Sequence, residues 1–282
     1  MKIGRVTALG RPLDIDYMTN RLIAVITAVV LAAVLAVWLI IGQPFLDSLF
    51  FAAGTAVSVF LTWSITREID PPNDWSAFAG LPFTLVAALF YGFPALVVLF
   101  FILLVARTIS GTTGLKLTLF DSSVLLVFGV ILFTSGVVTG LPFLVIVFII
   151  DSFVEPANRR QLYFAPVALV LFFVTYASLY EQYPYMIGFT IYTGIITLLL
   201  IGATLFLAIR TGKVTVTGDK SEQPLNPRRI QLAQATIAIF IIGELFLKGN
   251  ISLYMLYPAS FAYLGAALYH LVMLVKEARG RG

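Results

Sequence analysis

The sequence predicts an all-α integral membrane protein, a bundle of about ten transmembrane helices arranged as sequential hairpins, with eight spans as the alternative. Three observations carry this reading. Of 282 residues, 60% are apolar and only 11% are charged, against about 25% charged in an average soluble domain. So few charges cannot build a water-facing surface. The apolar runs are also long, and about 20 residues at 1.5 Å rise cover a hydrocarbon core of about 30 Å. Finally, the runs are continuous, as in LIAVITAVVLAAVLAVWLII over 22–41, whereas strands of a membrane barrel alternate in polarity over about ten residues. Lipid offers the backbone no hydrogen bonds, so helices are the remaining solution.

The elements follow in order. The first residues are polar and mixed in charge (Lys2, Arg5, Arg11, Asp14, Asp16), and no small-residue cleavage site follows the first apolar run. Residues 1–21 therefore read as a cytoplasmic segment and 22–42 as an uncleaved first span. Gly42-Gln43-Pro44 turns the chain into a second span over 46–65. Segment 76–107 is too long for one upright helix. Gly92-Phe93-Pro94 at its middle favours a turn and divides it into spans over 76–91 and 94–107. Gly140-Leu141-Pro142 divides 119–154 in the same way, into 119–136 and 140–154. Spans over 163–180 and 186–209 complete an eight-helix membrane region, 22–209. A cytoplasmic loop over 210–230 leads to a final helix pair, 231–248 and 253–275, and a cytoplasmic tail over 276–282.

Charge orients the bundle. Lys and Arg collect on the cytoplasmic side of membrane proteins. With ten spans and both termini in the cytoplasm, every one of the 18 basic residues except Lys248 falls there. Topology in a cell membrane thus explains the net charge of +4, and no nucleic-acid partner is expected. Tyr180, Tyr183 and Tyr185 suit the outer aromatic belt, and Trp63 and Trp75 the inner one. The chain has no cysteine, which excludes disulfides, thiolate catalysis and Cys-ligated metals.

The densest polar cluster is Thr66-Arg67-Glu68-Ile69-Asp70-Pro71-Pro72-Asn73-Asp74, between the second and third spans. On the same membrane face lie Arg107 with the small-residue run 110–114, Asp121 with Ser122, and Asp151 followed by Glu155, Asn158, Arg159 and Arg160. Carboxylates four residues apart, Asp70 with Asp74 and Asp151 with Glu155, have the spacing to hold Mg²⁺ while a diphosphate supplies further oxygens. Arg67, Arg107 and Arg159, with Asp121 at the same mouth, are the candidates for binding a charged substrate, since guanidinium forks match phosphate oxygens. The run 110–114 can offer backbone N–H groups to an anion. Glu68, Asp74, Arg159 and Arg160 also fit plain loop charges. Asp70, Arg107, Asp121 and Asp151 adjoin or enter apolar segments, where a charge is expensive and marks a site or a structural pair. His270 reads as an interfacial packing residue, and Glu244 with Lys248 as an i, i+4 pair.

Acidic pairs after the second and sixth spans, and Arg67-Glu68-Ile69-Asp70 in particular, resemble the Asp-rich motifs of intramembrane prenyltransferases of the UbiA type, which bind Mg²⁺ and a prenyl diphosphate. Where the family's first motif opens Asn-Asp-x-x-Asp, this chain reads Thr62-Trp63-Ser64-Ile65-Thr66. The resemblance covers about 15 residues. Three functions are then compatible with the sequence. The layout favours a small-solute or lipid transporter. The acid and arginine cluster suits a membrane-embedded enzyme acting on an isoprenoid or phospholipid at the cytoplasmic face, with Mg²⁺ as its cofactor. Charged loops also suit a non-catalytic membrane subunit or assembly factor. The lipid bilayer is the one partner the sequence names, and no protein partner can be read from it.

Overall fold

The computed structural model describes residues 7–11, 13–179, 188–212, 216–219 and 224–279. Among them the regular structure is helical, with no strand. The helices are α1 (Met18–Ile40), α2 (Phe45–Ile69), α3 (Ser76–Ala79), α4 (Leu81–Tyr91), α5 (Leu96–Ser110), α6 (Leu119–Thr134), α7 (Gly140–Phe153), α8 (Gln161–Leu179), α9 (Ile191–Arg210), α10 (Pro227–Lys248) and α11 (Asn250–Arg279). Six of them, α1, α2, α8, α9, α10 and α11, are long and apolar enough to cross a membrane. The segment 76–91 and helices α5, α6 and α7 are apolar but shorter, below the roughly 20 residues that an upright crossing takes.

Helices α2, α5, α10 and α11 form the centre. Their inward stripes (Leu61, Ile65 and Ile69; Leu99, Ile102 and Ile109; Ile237 and Ile241; Tyr263 and Ala266) join in one buried core. Phe101, Phe143 and Phe240 meet there with ring centroids 4.8–6.3 Å apart. The final pair, α10 and α11, is therefore central to the packing. By contrast, α1 buries only 17% of its most apolar window and α8 only 11%. A helix that is apolar all round and mostly unburied has lipid as its solvent. Around the core, α1 packs on α2, α8 on α7 and α6, and α9 on α10 and α11.

The segment 76–91 is broken at Gly80, and the break lets α11 approach in backbone contact. A Cβ at Gly80 would lie 2.5 Å from the Phe261 carbonyl oxygen, and one at Gly265 would lie 2.4 Å from the Gly80 nitrogen. Two glycines facing one another are the usual means of so close a crossing. Of the three expected Gly-x-Pro turns, two are turns, with Gly42 at φ 85° and Gly92 at φ 79°. The third is not. The chain reverses over 135–139, where Gly136 supplies the positive φ of 87°, and Gly140-Leu141-Pro142 begins α7. Pro142 sits in the first helical turn, where its missing N–H leaves no bond unmade.

Two further expectations change. Helix α2 continues to Ile69, so Arg67 and Glu68 belong to its last turn and not to a loop. Trp63 is buried among α1, α2 and 76–91 side chains and does not face an interface, while Trp75 is exposed. Glu244 and Lys248 pair at 3.1 Å as their spacing predicts. Tyr180, Tyr183 and Tyr185 lie outside the described residues.

Candidate functional site

The last turns of α2 and α5 set Glu68 opposite Arg107 at one end of the bundle. Arg107 Nε donates to Glu68 Oε1 at 2.8 Å, and its Nη1 donates to the Leu9 carbonyl at 3.0 Å. The Thr112 hydroxyl donates to Glu68 Oε2. Glu68 is wholly buried, so this carboxylate is held by charged and neutral donors in place of water, as burial of a charge requires. Arg11 Nη1 stands 3.7 Å from the same carboxylate. The Arg11 guanidinium pairs in addition with Asp219, through Nε at 2.5 Å and Nη2 at 2.9 Å. Asp219 keeps 34% of its side chain exposed, and its partial desolvation raises the carboxyl above its ordinary value, against the pull of Arg11. Proton uptake there, which releases Arg11, therefore sets in at a higher pH than for a free aspartate.

Beside this network Arg67 pairs with Asp74, which also accepts from the Tyr17 hydroxyl. Arg67 Nε is buried without an acceptor. Arg11, Tyr17, Asn20, Arg67, Asp74 and Asp219 wall a cavity of about 510 Å³. A small recess of about 40 Å³ continues from Arg11 and Arg67 down to Ser64, Glu68 and Arg107. Three segments distant in sequence thus close over one space: the stretch before α1, the end of α2 with its following loop, and the α9–α10 connection.

The other singled-out residues go elsewhere. Asp70 turns to α11: its Oδ2 lies 3.0 Å from His270 Nε2, and its Oδ1 accepts from the Asn73 amide at 2.8 Å. His270, read as a packing residue, is thus the partner of a buried acid. Asp151 pairs with Arg229. The Arg229 guanidinium also donates to the carbonyls of Ile109 (2.7 Å), Thr108 (2.8 Å), Val154 and Pro156 (both 3.1 Å), and so collects the free carbonyls at the ends of α5 and α7. Glu155 is exposed, its Oε2 accepting from the Ala157 N–H at 3.0 Å. Asp121 forms a capping box with Thr118 and accepts from the Ala8 N–H at 2.9 Å and from the Thr7 hydroxyl. Arg159 is exposed. In the run 110–114, Thr112 is held by Glu68 and by the Asp219 N–H at 3.1 Å. The two acid pairs read as metal ligands therefore split between partners, and among the described residues no group of three or more His, Asp or Glu is placed to hold a metal.

A second cavity, of about 390 Å³, opens at the opposite end of α11. Tyr91, Tyr192, Asn250, Tyr254, Tyr257 and Ser260 line it. Tyr91 and Tyr254 lie 4.9 Å apart by ring centroid, and the Tyr257 hydroxyl donates to the Gly92 carbonyl at 3.0 Å. Tyr257 also meets Ser58. From Ser58 a line of buried hydroxyls, Ser58, Thr62 and Thr66, runs along α2 toward Glu68, with Thr84 of α4 2.9 Å from Thr62. Each hydroxyl of that line donates to the carbonyl four residues back (2.6, 2.9 and 2.8 Å), which satisfies its donor and leaves oxygen lone pairs along that side of α2.

Sequence reasoning missed Arg11, Tyr17, Asp219, Arg229 and the tyrosine cavity. The stretch before α1 reads as a polar tail, yet Ala8 and Leu9 are buried. Nothing local distinguishes Arg229, which enters the bundle, from its neighbour Arg228, which is exposed. Comparison with protein-family models, curated proteins and solved structures finds no match for this chain.

Proposed function

We propose that this chain is a carrier of a small anionic solute, crossing the cell membrane ten times with both termini in the cytoplasm, and standing here with its cytoplasmic entrance closed. The observation that supports this is the pair of cavities at opposite ends of the central helices, with a line of buried hydroxyls on α2 between them. The ten-span arrangement is supported by charge, since all basic residues except Lys248 then face the cytoplasm.

Arg11 and Arg67 share the entrance cavity; Arg11 spends its charge on Asp219 from the α9–α10 connection, and Arg67 on Asp74 from the loop that follows its own helix. A carboxylate or phosphate entering the cavity competes for both guanidiniums and frees Asp219 and Asp74. The solute thereby interacts differently with the closed and open states, which is the condition for shifting between them. Partly buried ion pairs add little net stability and are best attested as switches or registers. A metal-dependent enzyme draws no support from the geometry, because Asp70 and Asp74, and likewise Asp151 and Glu155, face different partners.

The test is exchange in proteoliposomes with a panel of labelled small anions: inorganic phosphate, phosphate monoesters, and mono- and dicarboxylates. Because the chain lacks cysteine, Asn20→Cys with Val216→Cys, which line the same cavity and leave both arginines in place, can be bridged by a cleavable bifunctional thiol reagent. Exchange of at least one anion class is expected, abolished by the bridge and restored by cleaving it. Exchange that runs undiminished through the bridged protein contradicts the proposal.

A further inference from the structure

We propose that a groove between α7, α9 and α10 is a binding site for a phospholipid whose head group carries both a phosphate and an amine. The groove encloses about 940 Å³. It is distinct from the entrance cavity and shares no residue with it. Its floor is small and apolar, with Ala208, Leu232 and Ala235. Phe153, Leu205 and Ile209 form its walls and are exposed by 62%, 60% and 79%. Helices α9 and α10 are both long and apolar enough to span a membrane, so such side chains on their outer faces meet acyl chains. The groove lies at the C-terminal end of α9 and the N-terminal end of α10, which is the level of the head groups.

The rim says which head group. Arg228 is exposed, and its guanidinium has no partner among the described residues. Glu155, also exposed, uses Oε2 to accept from the Ala157 N–H and leaves Oε1 open. A single residue ties the backbones that carry these two side chains. Asn226 donates from its amide to the Glu155 carbonyl at 2.6 Å, and its side-chain oxygen caps α10 by accepting from the Arg228 N–H at 3.0 Å. One rim therefore presents a guanidinium from the first turn of α10 and a carboxylate from the loop that follows α7. The guanidinium suits a phosphate. The carboxylate attracts an ammonium and repels a second negative charge, so a purely anionic head group matches only half of the rim. Basic clefts between spanning helices at head-group level are a general mode of lipid recognition, and here the acid narrows it to an aminophospholipid. Neither the carrier reading nor the assignment of the cytoplasmic face enters this argument.

Native mass spectrometry of the detergent-purified protein, with phosphatidylethanolamine, phosphatidylglycerol and phosphatidylcholine offered in equal amounts, tests the site. Wild type is expected to retain phosphatidylethanolamine at activation energies that strip the other two. Arg228→Gln and Glu155→Gln, both at exposed positions, should each lower that retention at least tenfold while the lipid-free proteins melt like wild type. Equal retention of phosphatidylglycerol by wild type, or undiminished retention of phosphatidylethanolamine by either variant, overturns the proposal.

Discussion

Half of a buried ion pair costs far more than the whole pair contributes, and Arg229 with Asp151 is the clearest case here. Both are almost fully buried, and the guanidinium also serves four carbonyls. Asp151→Ala leaves a buried cation, and Arg229→Ala leaves a buried carboxylate together with unbonded helix-end carbonyls. Each is expected to lower unfolding stability by about 3–5 kcal/mol, read from denaturant or thermal unfolding in detergent. Asp151→Leu combined with Arg229→Met should recover much of the loss from the charge, and equal damage from the double and single variants would assign the cost to the carbonyls. The sequence marked Asp70, Arg107, Asp121 and Asp151 as residues too close to apolar segments to be idle, and all four are buried or half-buried and partnered. Their partners were illegible. His270 lies 200 positions from Asp70, and Arg229 lies 78 from Asp151, distances that hydropathy and spacing do not reach. Glu68 was read as a loop charge because the expected helix stopped at 65. Its burial follows once α2 gains four more residues.

The stretch before α1 shows how one helix cap can fasten a whole segment. Asp121 completes the capping box of α6 and, with the same carboxylate, holds the Ala8 N–H and the Thr7 hydroxyl. That fixes Leu9 in the core and sets Arg11 over Glu68. Asp121→Ala leaves Thr118 as the cap but should cost about 0.5–1.5 kcal/mol for each hydrogen bond lost, and should also release the segment. Limited proteolysis in detergent is expected to cut before residue 18 faster than in wild type, and unchanged cutting would show that Leu9 and Arg107 hold the segment unaided. Helix boundaries in the apolar regions are legible at Gly42 and Gly92, which take positive φ two residues before a proline. The α6–α7 turn was misplaced because Gly140-Leu141-Pro142 has the same letters in a helical first turn, while the deciding residue was Gly136.

The bundle's organisation is that of a protein with two solvents. Lipid-facing helices such as α1 and α8 bury little, and α2, α5, α10 and α11 carry the shared core. Composition alone indicates this division, since few charges and long apolar runs leave no other solution. It cannot show that the last two helices pack at the centre, or that three remote segments converge over one cavity. The first arises from long-range apolar packing, unspecific when seen in sequence, and the second from polar pairs such as Arg11 with Asp219, whose partners lie 208 positions apart. In the proposed carrier the entrance is closed: Glu68 lines the recess beneath Arg11 and Arg67, and Ser64, one turn back along α2, is almost fully buried and lines the same recess. The most direct measurement is therefore the rate at which a membrane-impermeant thiol reagent modifies Ser64→Cys in vesicles of each orientation. Slow modification, confined to the cytoplasmic face and accelerated at least tenfold when Arg11→Gln opens the entrance, is the expected result. Rapid modification with Arg11 in place, or modification from the opposite face alone, contradicts a closed cytoplasmic entrance.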